Sequence, residues 1–232
     1  MLNVAIESAG YQDNRKAVRN IAFDVGAGEL VGLLGGNGAG KSTTIKALLG
    51  LLKGWKGNVE IKDGARYAYI PEQPVLYDYL TFYEHLELAA ASSQGGEEWE
   101  RRAKELIAYF RMEKVVDDYP SSFSKGMKQK VMLITAFMLK ADLYIIDEPF
   151  LGLDPRATKD FLTLIEIERE RGAGILMCTH VLDTAERICD RFILLNDGTL
   201  LAQGSLHDFQ LTSGEETGSL LDCVDTLLEQ ER

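Results

Sequence analysis

The chain has 232 residues, 46% of them apolar, enough for a substantial core and incompatible with a small scaffold that depends on disulfides. A formal net charge of −11 argues against a general nucleic-acid surface, which needs clustered Lys and Arg. The three cysteines, Cys178, Cys189 and Cys223, have no metal-ligand spacing and suit buried thiols in a reducing compartment.

No apolar stretch approaches the eighteen or more residues of a spanning helix, so the expectation is a chain that does not cross a membrane. The N-terminus also lacks the basic region and apolar core of a secretory signal. Leu2 to Glu7 and Ile21 to Val25 read as edge strands around a polar turn at Gln12 to Lys16, with Tyr11 just before it. Glu29 to Leu34 is a short apolar run that feeds Gly35-Gly36-Asn37-Gly38-Ala39-Gly40-Lys41-Ser42-Thr43, and apolar residues continue at helical spacing to Leu52.

That stretch fits G-x-x-x-x-G-K-[ST], the loop that cradles nucleotide phosphates. Gly36, Gly38 and Gly40 let successive N–H groups turn inward, while the following helix aims its positive dipole end at the same point. Lys41 supplies a compact cation for the β and γ phosphates, and the Ser42 hydroxyl can ligate Mg²⁺. A polyphosphate is the guest this loop is made for.

Farther along, Asn58 to Ile61 and Tyr67 to Ile70 read as short strands separated by Lys62-Asp63-Gly64, before Pro71-Glu72-Gln73-Pro74 interrupts the pattern. Thr81-Phe-Tyr-Glu84 is a capping box that opens a helix to about Ala91. A polar loop at Ser92 to Glu97 leads to an amphipathic helix over Glu98 to Phe110. Ser124 caps a helix through Leu139. Leu143 to Ile146 is a buried strand delivering the adjacent carboxylates of Asp147 and Glu148, one able to hold Mg²⁺ and the other to polarise an attacking water.

Asp154 with Pro155 starts a helix that ends near Gly172, and Ile175 to Cys178 forms the next buried strand, with His180 beyond its end. Asn196-Asp197-Gly198 turns a hairpin between Phe192 to Leu195 and Thr199 to Ala202. Leu220, Leu221, Val224, Leu227 and Leu228 give the acidic tail, residues 213–232, one packing face. Strands alternating with helices imply a parallel sheet whose ligand lies beyond the carboxyl ends of the strands. Gly40, Asp147 and His180 all follow such ends.

With these motifs in order, the chain resembles the ATP-binding subunit of an ATP-binding cassette (ABC) transporter over nearly its whole length. Gly35 to Ser42 matches the Walker A motif and Leu143 to Glu148 the Walker B motif. Gln73 stands in a Q-loop position, Phe123-Ser-Lys-Gly-Met127 in the signature position, Asp154 in the D-loop and His180 as the switch histidine. The resemblance implies an α/β P-loop NTPase with a mainly parallel sheet core, an antiparallel β subdomain and an α-helical subdomain inserted over about 74–140.

It also implies ATP and Mg²⁺ as ligands, with Tyr11 stacking on adenine, Gln73 and Asp147 at the metal, Glu148 as catalytic base and His180 on the γ-phosphate. Ser124 and Gly126 are expected to reach the nucleotide of a second copy, so that two chains sandwich two ATP molecules, and Asp154 is implied as a further nucleotide-binding residue. A separately encoded membrane permease is the implied partner, with the chain on the cytoplasmic face of the membrane. Lys125 and Met127 replace the usual glycine and glutamine of the signature, as in variants among ABC-2 type exporters, and the segment between Gly57 and Gln73 is shorter than is common in the family, which implies a trimmed edge hairpin. Tyr77, Tyr79, Phe82 and Tyr83 either line the groove that receives the permease or belong to the core of the helical subdomain. A role on DNA or the ribosome fits less well, because such members carry a long coiled-coil insertion or a second cassette, and neither is present.

Overall fold

A computed structural model describes residues 1–11, 16–93 and 98–231. Most of the turn expected at Gln12 to Lys16 and most of the loop expected at Ser92 to Glu97 fall outside the described residues.

Two sheets carry the strands. Strand β1 (Leu2–Gly10) pairs antiparallel with β2 (Lys16–Val25) on one side and β4 (Lys56–Ile61) on the other. Both β1 and β2 were expected at an edge, yet β1 is the central strand. Alternation along β1 buries Leu2, Val4 and Ile6 and leaves Asn3, Ala5 and Glu7 exposed, which fixes its buried face and says nothing about how many neighbours it has.

The second sheet has six strands in the order β5-β6-β7-β3-β8-β9, where β3 is Leu30–Leu34, β5 Tyr67–Ile70, β6 Leu143–Asp147, β7 Gly174–Cys178, β8 Arg191–Asn196 and β9 Thr199–Gly204. All its pairings are parallel except β8 with β9. β3, β6 and β7 are buried along their whole length, as expected for parallel strands covered on both faces. The segment expected as a hairpin joins the two sheets instead: β4 pairs with β1, and β5 crosses to pair with β6.

One core lies between the antiparallel sheet, helix α1 (Lys41–Leu48) and one face of the six-stranded sheet, with Ile6, Ile21, Leu33, Ile45 and Leu176 among its buried residues. The opposite face packs against helices α2 (Phe82–Ser92), α3 (Trp99–Tyr109), α4 (Lys125–Met138) and α5 (Pro155–Glu170). There Phe137 stacks on Tyr144 at 4.6 Å between ring centres and meets Phe161 edge-on. Chain order places α2, α3 and α4 between the neighbouring strands β5 and β6, so these helices are an insertion between adjacent strands of the core.

Helix α3 and the turn that follows it are tied back to α5 by charge. Arg102 meets Glu168 at 3.2 Å, Arg111 meets Asp160 at 2.7 Å, and Glu168, itself buried, also accepts from Arg171 and the Tyr144 hydroxyl. The chain closes with α6 (Leu182–Ile188), α7 (Leu206–Ser213) and α8 (Leu220–Gln230). Leu220, Cys223, Val224 and Leu227 of α8 bury against Phe209 and Phe192, while Leu221, expected on that face, stays exposed.

Candidate active site

Strands β3, β5, β6 and β7 end at the same edge of the sheet, and each hands a functional residue to the loop that follows. After β3, Gly40 adopts φ 109° and caps α1 with no side-chain bond, and the first turn of α1 contains no acidic residue. The backbone N–H groups there are free to meet an anion, in the field of the helix dipole. No atom lies within 4 Å of where a Cβ would stand on Gly36 or Gly38, so the loop presents open backbone.

Lys41 is nearly buried, and its Nζ donates to the carbonyls of Gly35 at 2.7 Å and Gly36 at 3.3 Å, arching over the loop it belongs to. From below, the hairpin turn between β8 and β9 holds the same loop. Asp197 and Gly198 have φ 45° and 79°, the paired positive values of a type I′ turn, and Gly198 N–H donates to the Ala39 carbonyl at 3.0 Å.

Asp147 ends β6 and is buried. Burial first, then the negative charges of Glu148 and Glu72, raise its pKa to about 6, against the pull of Lys41 and Lys46. Glu148, the next residue, sits at φ 47°, a left-handed conformation that costs a non-glycine residue about 1 kcal/mol. It is held there by donation of its N–H to the Cys178 carbonyl of β7 at 3.0 Å. The turn brings Glu148 Oε2 within 2.8 Å of His180 Nδ1. An ionised carboxylate can only accept, so in a hydrogen bond to the Glu148 carboxylate it is Nδ1–H that donates.

These groups surround a cavity of about 570 Å³ lined by Gly36, Asn37, Gly38, Gly40, Lys41, Ser42, Thr43, Glu72, Asp147, Glu148, Leu151 and His180. The Walker-type loop, both carboxylates and the histidine expected from the sequence therefore meet in one place. Gly35 and Ala39 lie behind the loop rather than at its surface: a Cβ on Gly35 would stand 2.5 Å from the Leu195 carbonyl.

Other expected residues lie elsewhere. Gln73 is exposed and does not line the cavity, whereas the preceding Glu72 does. Tyr11 is half exposed outside the cavity, its hydroxyl 3.2 Å from Lys46 Nζ on α1. Ser124 is exposed at the start of α4 and accepts from the Met127 N–H at 3.3 Å. Gly126 packs so tightly on the loop before α5 that a Cβ would stand 2.6 Å from the Gly152 carbonyl. Asp154 caps α5 by accepting from the Ala157 N–H at 2.8 Å, and Lys130 of α4 lies 3.7 Å from it. Of the aromatic candidates, Tyr77 and Tyr79 are exposed, but Phe82 is core and Tyr83 packs on Trp99.

The donor set fits a metal–polyphosphate. The loop offers N–H groups and a lysine, and Ser42 and Asp147 face the same space. Among the described residues no group of three or more His, Cys, Asp or Glu could hold a metal by itself. That suits Mg²⁺, which is commonly held by one or two carboxylates together with phosphate oxygens and water.

The family model described as ABC transporter matches residues 18–151. The chain is 51% identical to the ABC transporter ATP-binding protein YthP of Bacillus subtilis (strain 168), over 100% of this chain and 98% of that protein. It is 34% identical to the SkfA peptide export ATP-binding protein SkfE of the same organism, over 81% of this chain and 82% of the other. A solved ATP-binding subunit of an ABC transporter superposes with a TM-score of 0.93 at 44% identity, covering 98% of this chain and 99% of that one.

Proposed function

Because this chain belongs to the ABC transporter ATP-binding family, we propose that it hydrolyses ATP to drive a separately encoded membrane permease, and that the cargo moves outward. The observation that carries the hydrolytic part is the Glu148–His180 pair at 2.8 Å on the wall of the phosphate cavity.

The N–H groups of the loop and Lys41 bind the triphosphate and neutralise charge on its terminal oxygens. Mg²⁺, held through Ser42 and Asp147, supplies further neutralisation of the phosphate oxygens when bound. Glu148 accepts a proton from water as the water oxygen bonds to the γ-phosphorus. The bond from that phosphorus to the β,γ-bridging oxygen breaks, and ADP leaves with the electron pair. His180 orients the Glu148 carboxylate through Nδ1–H.

One chain covers only one side of the triphosphate, and Ser124 and Gly126 stand outside their own cavity. A second copy, head to tail, would bring its Ser124 hydroxyl and the start of its α4 to the open side, with Asp154 beside them. ATP then joins the two subunits and hydrolysis releases them, a cycle that moves an attached permease. Among the described residues no helix is long and apolar enough to cross a membrane. In this reading the spanning part is a separate permease chain docked against the exposed Tyr77 and Tyr79, with this subunit on the cytoplasmic face. Export is supported by the name of the SkfE relative and by the Phe123-Ser-Lys-Gly-Met127 form of the signature.

The test is gel filtration of Glu148→Gln with and without ATP, beside turnover by the wild type. The expected result is a dimer that appears only with ATP, in a variant whose hydrolysis is at least a hundredfold slower. A variant that stays monomeric at every ATP concentration, while the wild type turns over normally, would refute the sandwich.

A further inference from the structure

A second cavity lies at the other end of the six-stranded sheet. The phosphate loop, Asp147 and His180 stand at the carboxyl ends of their strands, whereas Arg66 directly precedes β5 and Lys140 lies in the turn that leads into β6. Arg66, Lys140 and Arg102 of α3 bring three cations to a space of about 200 Å³, whose other lining residues are Glu98, Trp99, Met138 and Leu139. In a chain of net charge −11, a pocket with three cations and one acid runs against the composition of the whole.

The frame around this space is fixed by the sheet. The Arg66 N–H donates to Asp142 Oδ2 at 2.9 Å, and the Arg66 carbonyl accepts from the N–H groups of Asp142 and Leu143 at 2.8 and 3.1 Å, which clamps the starts of β5 and β6 side by side. The Arg66 guanidinium donates to the Lys140 carbonyl at 3.2 Å. Arg102 is held by the buried Glu168 at 3.2 Å and, less closely, by Glu105 at 3.7 Å. Its Nε is buried with no acceptor among the described residues, an uncommon state for a donor in a folded chain. Lys140 Nζ lies 3.8 Å from Glu98, so the one acid offsets only part of the positive charge.

We infer that this cavity binds a small organic anion, with a phosphate or carboxylate head among Arg66, Arg102 and Lys140 and a short apolar body against Trp99, Met138 and Leu139. Arginine suits such heads because its planar fork can meet two oxygens at once, and lysine adds a point charge. The size suits a metabolite smaller than a nucleotide, since drug-sized ligands occupy pockets of about 300–1,000 Å³. An anion here would join the helical insertion, through α3 and the end of α4, to the residue that opens β5 in the core. The site is separate from the phosphate cavity and does not depend on the ATPase reading.

The test follows the emission of Trp99. In the full chain carrying Trp55→Phe, Trp99 is the one tryptophan left, and excess ADP with Mg²⁺ keeps the phosphate loop out of the titration. Phenyl phosphate and benzoate represent the two kinds of head, with sodium chloride at matched ionic strength as the blank. At least one of them should change the emission saturably, and it should bind at least tenfold more weakly to Arg66→Ala and to Lys140→Gln. Glu98→Gln, which removes the opposing charge, should bind it at least threefold more tightly. ATP hydrolysis by these variants without either probe should stay within twofold of the parent, because none of the three residues lines the phosphate cavity.

A response to phenyl phosphate alone identifies a phosphate monoester as the ligand class, and a response to benzoate alone a carboxylic acid; both support the site. No saturable change with either probe would overturn the inference. So would parental affinity in Arg66→Ala and Lys140→Gln, or looser binding to Glu98→Gln. Should Arg66→Ala melt well below the parent, the opposite shifts expected of Lys140→Gln and Glu98→Gln decide the question.

Discussion

Gly198 N–H donates to the Ala39 carbonyl at 3.0 Å, so a hairpin turn far along the chain supports the phosphate loop from beneath. The same residue accepts from Arg19 N–H at 2.7 Å, which also ties the antiparallel sheet to this point. One glycine thus joins the β8–β9 turn, β2 and the nucleotide site, and the contact has no room for a side chain. A Cβ there would stand 2.1 Å from the Ala17 carbonyl, at a φ of 79° that already disfavours any other residue.

Gly198→Ala should therefore cost about 2–4 kcal/mol of stability, from backbone strain plus displacement of β2. Nucleotide affinity should fall with it, because the Ala39 end of the loop loses its support. Thermal melting and a nucleotide titration on the same preparation check both effects. Gly214 is a useful comparator, since no atom lies near its Cβ position. Gly214→Ala should cost only the strain of its own positive φ, about 1 kcal/mol, and leave nucleotide affinity unchanged.

Lys41→Ala should abolish measurable nucleotide binding. The ammonium is nearly buried and already bridges two loop carbonyls, so it acts on both the guest and the shape of the cradle. A charge pair at contact near a protein surface is worth about 4 kcal/mol, or roughly a thousandfold in affinity. Equilibrium binding of a fluorescent nucleotide, with melting to verify that the variant remains folded, is the measurement.

How much of this was readable from the sequence depends on how local each signal is. The phosphate loop, the Thr81 capping box and the Asp197-Gly198 turn are set by residues within a few positions of one another, and each forms where its residue types require. Long-range placement is different. Alternation shows that β1 has one buried face but cannot show that it lies between two partners. The turn residues at Lys62 to Gly64 look the same whether the chain folds back or crosses to another sheet.

The cavity wall after β5 illustrates the same limit at single-residue scale. Glu72 and Gln73 are adjacent and both could face a metal. Which one turns inward is decided by the phase in which β5 ends and by the flanking prolines, not by residue type. For Phe82 the sequence leaves the permease groove and the core of the helical subdomain equally open; as the first residue of α2 it falls on the buried face and packs edge-on against Phe123. The Glu148–His180 contact depends on the left-handed turn at Glu148 and the β6–β7 register, neither of which the sequence displays.

Asp147→Asn should stabilise the nucleotide-free protein at neutral pH while impairing metal-dependent turnover. The folded-state pKa is raised from 3.8 to about 6, so ionising Asp147 costs more in the folded chain than in the unfolded one. The contribution to stability is full below pH 4, is lost as the pH rises toward and through 6, and leaves an apparent penalty above. With one pKa unit worth 1.36 kcal/mol, and allowing for solvent at the open side, the gain at pH 7 should be about 1–2 kcal/mol. Denaturant melts of the two proteins at pH 7 and pH 4, without nucleotide or Mg²⁺, should converge at the lower pH. A constant gap across that range would mean that packing, not charge, separates them.

Gly126→Ala separates binding by one chain from work done by two. The added methyl would stand 2.6 Å from the Gly152 carbonyl, forcing the start of α4 away from the loop before α5 and carrying Ser124 with it. Nothing in that contact touches the phosphate cavity of the same chain, so monomer affinity for nucleotide should change less than threefold. Ser124 and Asp154 would, however, lose their fixed spacing. In the Glu148→Gln background, the ATP-dependent dimer expected on gel filtration should weaken at least tenfold, the equivalent of about 1.4 kcal/mol. Steady-state hydrolysis by Gly126→Ala alone should fall by a similar or larger factor. A variant that forms the dimer as readily as its parent would mean that this end of α4 lies outside the contact between subunits.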